Sequence, residues 1–162
     1  MKKLILIRHS KSSWHSPVQD IDRTISNRGV KDAHLIASKS VDIVPKSYIV
    51  WSSKAKRTTE TAYIFSQYLS IPIETIHFSE DLYTFDVKKL HQIIKKCKNE
   101  HNCLILFGHN EAITNFVNKF GDLYINNVPT SGLVAIQFDS NDWENLGKGK
   151  LITTLFPSQF KK

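Results

Sequence analysis

Cysteine is scarce: Cys97 and Cys103 are the only two in 162 residues. No second pair exists to complete a zinc site, and no C-x-x-C redox spacing occurs. Both are read as reduced thiols, and neither a metal nor any other cofactor is expected. Long apolar runs are also missing, with nothing near the ~18 residues of a membrane span. The stretch Leu4-Ile5-Leu6-Ile7 before Arg8 is shorter than the ~7 residues of a secretory core. It is read as a first strand in a cytoplasmic protein with no membrane partner. No internal repeat, proline-rich linker or low-complexity tract appears. Acidic residues are outnumbered, 15 against 22 Lys and Arg, giving a net charge of +7. The cations are scattered singly or in short clusters such as Lys95-Lys96-Cys97-Lys98, whereas nucleic acid wants a stripe. A phosphate-bearing ligand needs only a local basic pocket, so charge alone does not decide between the two; no nucleic-acid partner is expected.

What is present suits one compact unit. With 41% apolar residues, a chain of this length buries about 70% of its unfolded surface, so it needs no metal or disulfide to fold. A single domain over residues 1–162 is expected. Leu4–Ile7, Tyr48–Trp51, Ile73–Phe78, Cys103–Phe107, Leu133–Phe138 and Leu151–Phe156 read as strands. Between them, helical spacing joins Val30, Ala33, Ile36 and Ala37, then Ala55, Ala62, Phe65 and Leu69 over residues 54–69. It recurs in Val87, Leu90, Ile93 and Ile94, and in Ile113, Phe116, Val117 and Phe120. Ser52-Ser53 is a candidate cap for the second helix. Alternation of this kind predicts an α/β fold: three α/β/α layers around a mainly parallel sheet of about six strands.

Ligands in such folds gather at the carboxyl ends of the strands. Arg8-His9 follows the first strand, Ser52-Ser53 leads to Lys54, Lys56 and Arg57 after the second, and Gly108-His109-Asn110 follows the fourth. Two histidines and several cations are thereby predicted at one sheet edge. A neutral imidazole is a competent nucleophile toward phosphorus. Phosphoryl transfer needs fixed positive charge around the equatorial oxygens, which a guanidinium fork supplies.

Arg8-His9-Ser10 resembles the Arg-His-Gly signature of the histidine phosphatase (phosphoglycerate mutase-like) superfamily. Six segments in order are similar to the SixA-type phosphohistidine phosphatases. They are Leu6 to Trp14, Asp22 to Gly29, Ser52 to Ala62, Asp81-Leu82-Tyr83, Gly108-His109-Asn110 and Pro129 to Leu133. The resemblance implies a phosphoglycerate mutase-like fold and a phosphatase with His9 as the phosphorylated nucleophile. His109 would complete the catalytic pocket, and Arg8 and Arg57 would bind the phosphoryl oxygens. His15 stands where relatives often place a phosphate contact, and Trp14 is expected to pack the loop over the pocket. Three positions depart from the pattern: Ser10 replaces a glycine, Glu111 a proline, and Thr84 the general-acid Glu of mutase-type members.

Asp81 remains a candidate proton donor. Without a strong acid, the site would favour P–N over P–O bonds, because an imidazole departs with a pKa of about 6.5. The expected substrate is phosphohistidine on a phosphotransfer protein. The alternatives are a small phosphate ester, a Ser/Thr phosphoprotein, or a non-catalytic phosphate-binding module. A monomer is expected.

Overall fold

The structure is a computed structural model that describes residues 1–15 and 17–161. Strands β1 (Lys2–Arg8), β2 (Ile49–Ser53), β3 (His77–Ser79), β4 (Cys103–Gly108), β5 (Leu133–Phe138) and β6 (Lys150–Leu155) form one sheet in the order β3-β2-β4-β1-β5-β6. The pairs β3–β2, β2–β4 and β4–β1 are parallel, while β5 runs antiparallel to both β1 and β6. No helix among the described residues is long and apolar enough to cross a membrane.

Helices α1 (Asn27–Ser40) and α2 (Lys56–Leu69) cover one face, and α3 (Val87–Ile94) and α4 (Ala112–Phe120) the other. The two-residue period of a strand sorts the core between these layers. Ile5, Ile7, Ile105 and Phe107 pack with Ile36, Ala62 and Phe65 from α1 and α2. Leu4, Leu6, Leu104 and Leu106 pack with Leu90, Ile113 and Phe116 from α3 and α4. Every residue of β4 is buried, as its unbroken apolar run requires of a strand covered on both faces. Each such Leu, Ile or Phe contributes about 1.5–3 kcal/mol by leaving water.

Two local readings change. Residues 73–75 form a 3-10 turn, and the strand is only His77–Ser79. Pro72 explains this: it has no N–H for a ladder, and its carbonyl instead accepts from the Thr75 N–H and hydroxyl. Ser52 and Ser53 do not cap α2; they end β2, and α2 begins at Lys56 with no side-chain cap.

The loop after β1 is tied to the start of α1. Ser26 caps the helix by accepting from the Gly29 N–H, while its own N–H and hydroxyl donate to the Lys11 carbonyl. A β-carbon on Gly29 would overlap that same carbonyl oxygen. Gly29→Ala should therefore lower stability by about 1–3 kcal/mol through overpacking. Urea denaturation checks this, and an unchanged midpoint would show that the loop gives way freely.

Candidate active site

Parallel pairing sets Arg8 beside Gly108, and Ser52 beside Phe107, so β1, β2 and β4 end together. The residues that follow these ends converge. His9 and His109 lie with ring centroids 5.2 Å apart, and Arg57, in the first turn of α2, donates from Nε to His9 Nε2 at 3.4 Å. His9, His109 and Arg57 are 8%, 2% and 4% exposed. The first turn of an uncapped helix adds free N–H groups and a positive dipole end.

The backbone around His9 is held from several sides. His9 N–H donates to the Gly108 carbonyl at 3.1 Å, and Ser131 N–H reaches the Arg8 and His9 carbonyls, each at 3.1 Å. Ser10 N–H donates to Thr61 Oγ1 at 2.9 Å, and the Ser10 and Ser131 hydroxyls pair at 2.5 Å. The serine at position 10 is thus accommodated by a dedicated partner.

The hydrogen bonds also assign the ring protons. His9 Nδ1 lies 2.8 Å from the Ser10 carbonyl, which can only accept, so Nδ1 carries the hydrogen and the Nε2 lone pair accepts from Arg57 Nε–H. Burial lowers the His9 pKa to about 4, and the Arg57, Arg8 and Arg23 charges push the same way against the Ser10 hydrogen bond. His109 is lowered to about 2, first by burial and then by His9 and Arg57. Its Nε2 meets Ser53 Oγ at 2.9 Å and Thr58 Oγ1 at 3.3 Å. Ser53 Oγ already accepts from the Ala55 N–H, leaving its proton free to donate to Nε2. That assignment puts the His109 hydrogen on Nδ1. His109 Nδ1 and Arg8 Nε are the two buried side-chain polar atoms without a partner among the described residues. An unmet buried donor costs about 1–3 kcal/mol, which an anion in the site would relieve. Arg8 is otherwise anchored through Nη1 to the Val128 carbonyl at 2.9 Å.

Asp20 was not singled out from sequence, yet it organises the cations. Arg57 donates from Nη1 to the Asp20 carbonyl at 2.7 Å and from Nη2 to its carboxylate at 3.0 Å. Arg23 reaches the other carboxylate oxygen at 3.0 Å, and the Tyr83 hydroxyl donates to the first. Burial alone would raise the Asp20 pKa. The hydrogen bonds from Tyr83 and Arg57 and the Arg57 charge outweigh it and hold the group at about 2. Tyr83 and Phe85 set their rings edge-on to His109, with centroids at 5.2 and 5.5 Å.

Other sequence candidates lie elsewhere. Asp81 is exposed in a 3-10 turn, 4.0 Å from Lys89, and lines a depression with Gln92 and Ile93. Asp81 does not join the histidine pair. His15 is exposed, and Trp14 stands 79% exposed with the Arg23 guanidinium 3.2 Å from its ring centroid, so it is not packed down over a pocket. Thr84 is buried, and its hydroxyl accepts from the Asp86 N–H. Arg23, Ser53, Thr58, Tyr83 and Ser131 all fall inside the matched segments, where motif order placed them without giving them a role. Asp20 and Phe85 fall outside those segments. No three metal-binding side chains converge among the described residues.

Comparison with known proteins fits this geometry. A family description, histidine phosphatase superfamily (branch 1), matches residues 4–102, more than half of the chain. An uncharacterized chloroplastic protein of Arabidopsis thaliana is 27% identical over 154 residues, covering 88% of this chain and 69% of that protein. The protein histidine phosphatase SixA, solved with tungstate, superposes with a TM-score of 0.82 at 17% identity, covering 98% of this chain and 99% of that one. A structure designated SixA from Agrobacterium tumefaciens gives 0.79 at 22% identity, covering 95% and 97%. At these identities the structural matches speak to the fold.

Because both histidines have folded pKa values below about 6.5, the unfolded chain binds more protons at acidic pH. Stability should hold above about pH 6.5 and fall as pH drops through the His9 value near 4. Ring 15N titration should show His9 neutral at pH 6 and titrating near 4. A midpoint between 6 and 7 would contradict the assignment.

Proposed function

The chain belongs to the histidine phosphatase superfamily, and from that premise we propose that it hydrolyses a phosphoryl group through a covalent phosphohistidine at His9. The unprotonated Nε2 of a neutral, buried His9, facing Arg57, is the observation that carries this reading; a phosphoryl oxygen takes the Arg57 Nε–H from it and frees the lone pair for attack. In the first step Nε2 attacks phosphorus in line, the N–P bond forms, and the bond to the leaving group breaks. Arg57 Nε–H, Arg8 Nε–H and His109 Nδ1–H are the donors available to the three equatorial oxygens. In the second step water attacks the phosphohistidine and a water proton passes to solvent. The N–P bond then returns its electron pair to Nε2, and inorganic phosphate leaves.

The proposed substrate is phosphohistidine carried by a protein. Two observations support a P–N bond. Asp20, the carboxylate at the site, is held ionised with a pKa of about 2 and cannot act as an acid. Thr84 has no acidic proton to offer. An alcohol leaving group would forgo the ~10²–10⁴-fold that a positioned acid supplies. An imidazole, with a pKa of about 6.5, takes its proton from solvent at neutral pH. The name of the tungstate-bound relative, a protein histidine phosphatase, agrees with this choice.

Turnover of a phosphohistidine-bearing phosphotransfer domain should exceed that of p-nitrophenyl phosphate, and His9→Ala should abolish both. Turnover of the aryl ester alone would keep the mechanism and overturn the substrate. Arg57→Lys, which loses the planar fork, should reduce kcat by about 10²-fold. A loss under threefold would remove Arg57 from the reaction.

A further inference from the structure

Tyr83 and Phe85 form an aromatic wall that the two-step chemistry above does not use. Both rings stand edge-on to His109, and their centroids are 5.5 Å from each other. His109 is buried, whereas Phe85 is 51% exposed, so the wall runs from the histidine pair out to solvent. Leaving half of a phenylalanine in water forfeits part of its hydrophobic gain, and no other described ring shares that cost with it apart from Tyr83 and His109.

In-line attack fixes where the leaving group lies. It sits across phosphorus from His9 Nε2. Arg57, whose Nε faces His9 Nε2 at 3.4 Å, has its guanidinium 6.0 Å from the Tyr83 ring centroid, so the wall borders the space in front of Nε2. The Asp20 carboxylate, paired with Arg57 and Arg23, holds the Tyr83 hydroxyl and so fixes one end of the wall. An aromatic face that runs from the site to solvent suits a flat heteroaromatic ring.

We propose that Phe85, with Tyr83, forms a subsite for the leaving-group ring, giving the enzyme a preference for phosphorylated imidazole over phosphoryl donors without a ring. The wall binds the five-membered ring by stacking. This proposal rests on the phosphatase reading, and the experiment separates the two.

N-phosphoimidazole and phosphoramidate both carry a P–N bond, and only the first has a ring. kcat/KM would be measured for each with wild type, Phe85→Leu and Phe85→Trp. The leucine keeps apolar bulk without a ring, and at a half-exposed position it leaves the core untouched; melting curves check folding. Phe85→Leu should lose about threefold to tenfold on N-phosphoimidazole and stay within about twofold on phosphoramidate, while Phe85→Trp should retain the wild-type ratio. Equal loss on both substrates, or none on either, would overturn the subsite and leave the phosphatase reading standing. No His9-dependent turnover of either by wild type would overturn both.

Discussion

A guanidinium buried beside two imidazoles and a second arginine is unfavourable unless something compensates its charge, and here the compensation is Asp20. Arg57 is almost fully enclosed, and both of its Nη atoms are bound by Asp20, one by the carbonyl and one by the carboxylate. Only Nε is left, and it points at His9. Losing that partner would strand the enclosed Arg57 charge, at less than the ~3–5 kcal/mol of a fully buried pair because the carboxylate is partly solvated. The carboxylate itself keeps 44% of its side chain exposed, so its own desolvation is modest. The same clamp aligns Arg23, and through it Trp14, and draws Tyr83 against the site. The direction of Arg57 and the placement of Tyr83 both depend on this one contact.

The backbone frame explains why such a cluster holds its shape. Three parallel strands end at one level, so His9 and His109 are fixed by sheet register before any side chain interacts. Ser131 then closes the frame from the β5 side, where its φ of 64° places it in the left-handed region. That backbone is costly for a residue other than glycine. The Ser131 hydroxyl bond to Ser10 and its N–H on the Arg8 and His9 carbonyls offset the cost. His9, His109 and Arg57 are nearly enclosed, so their interactions act in a medium of low polarity, while Asp20 stays partly solvated.

Much of this was legible because it rests on pattern. The apolar run Cys103–Phe107 announced a central strand, and polar residues just after three such runs marked the sheet edge where the site forms. The reversed β5 was less visible, since strand direction lies in the connection and not in the strand's own residues. Residues 73–75 misled because Ile73 and Ile76 flank a proline-started turn. Asp20 and Phe85 lie in irregular segments, where no period says which way a side chain faces. Asp81 shows the converse. Its chemistry suited a proton donor, but its 3-10 turn leaves it exposed at the surface beside Lys89 of α3.

The charge arithmetic of the cluster bears on turnover as much as on binding. Arg8, Arg23 and Arg57 supply three positive charges, Asp20 removes one, and the histidines are neutral. The net of two matches a phosphoryl dianion. A site with all three guanidiniums uncompensated would hold substrate more tightly, but it would hold inorganic phosphate more tightly as well. Binding that favours ground state and product equally does not raise kcat. The Asp20 carboxylate holds Arg57 with its Nε toward His9 and at the same time lowers the positive charge of the cluster. The contact that positions the arginine is therefore also the one that limits the cluster's charge.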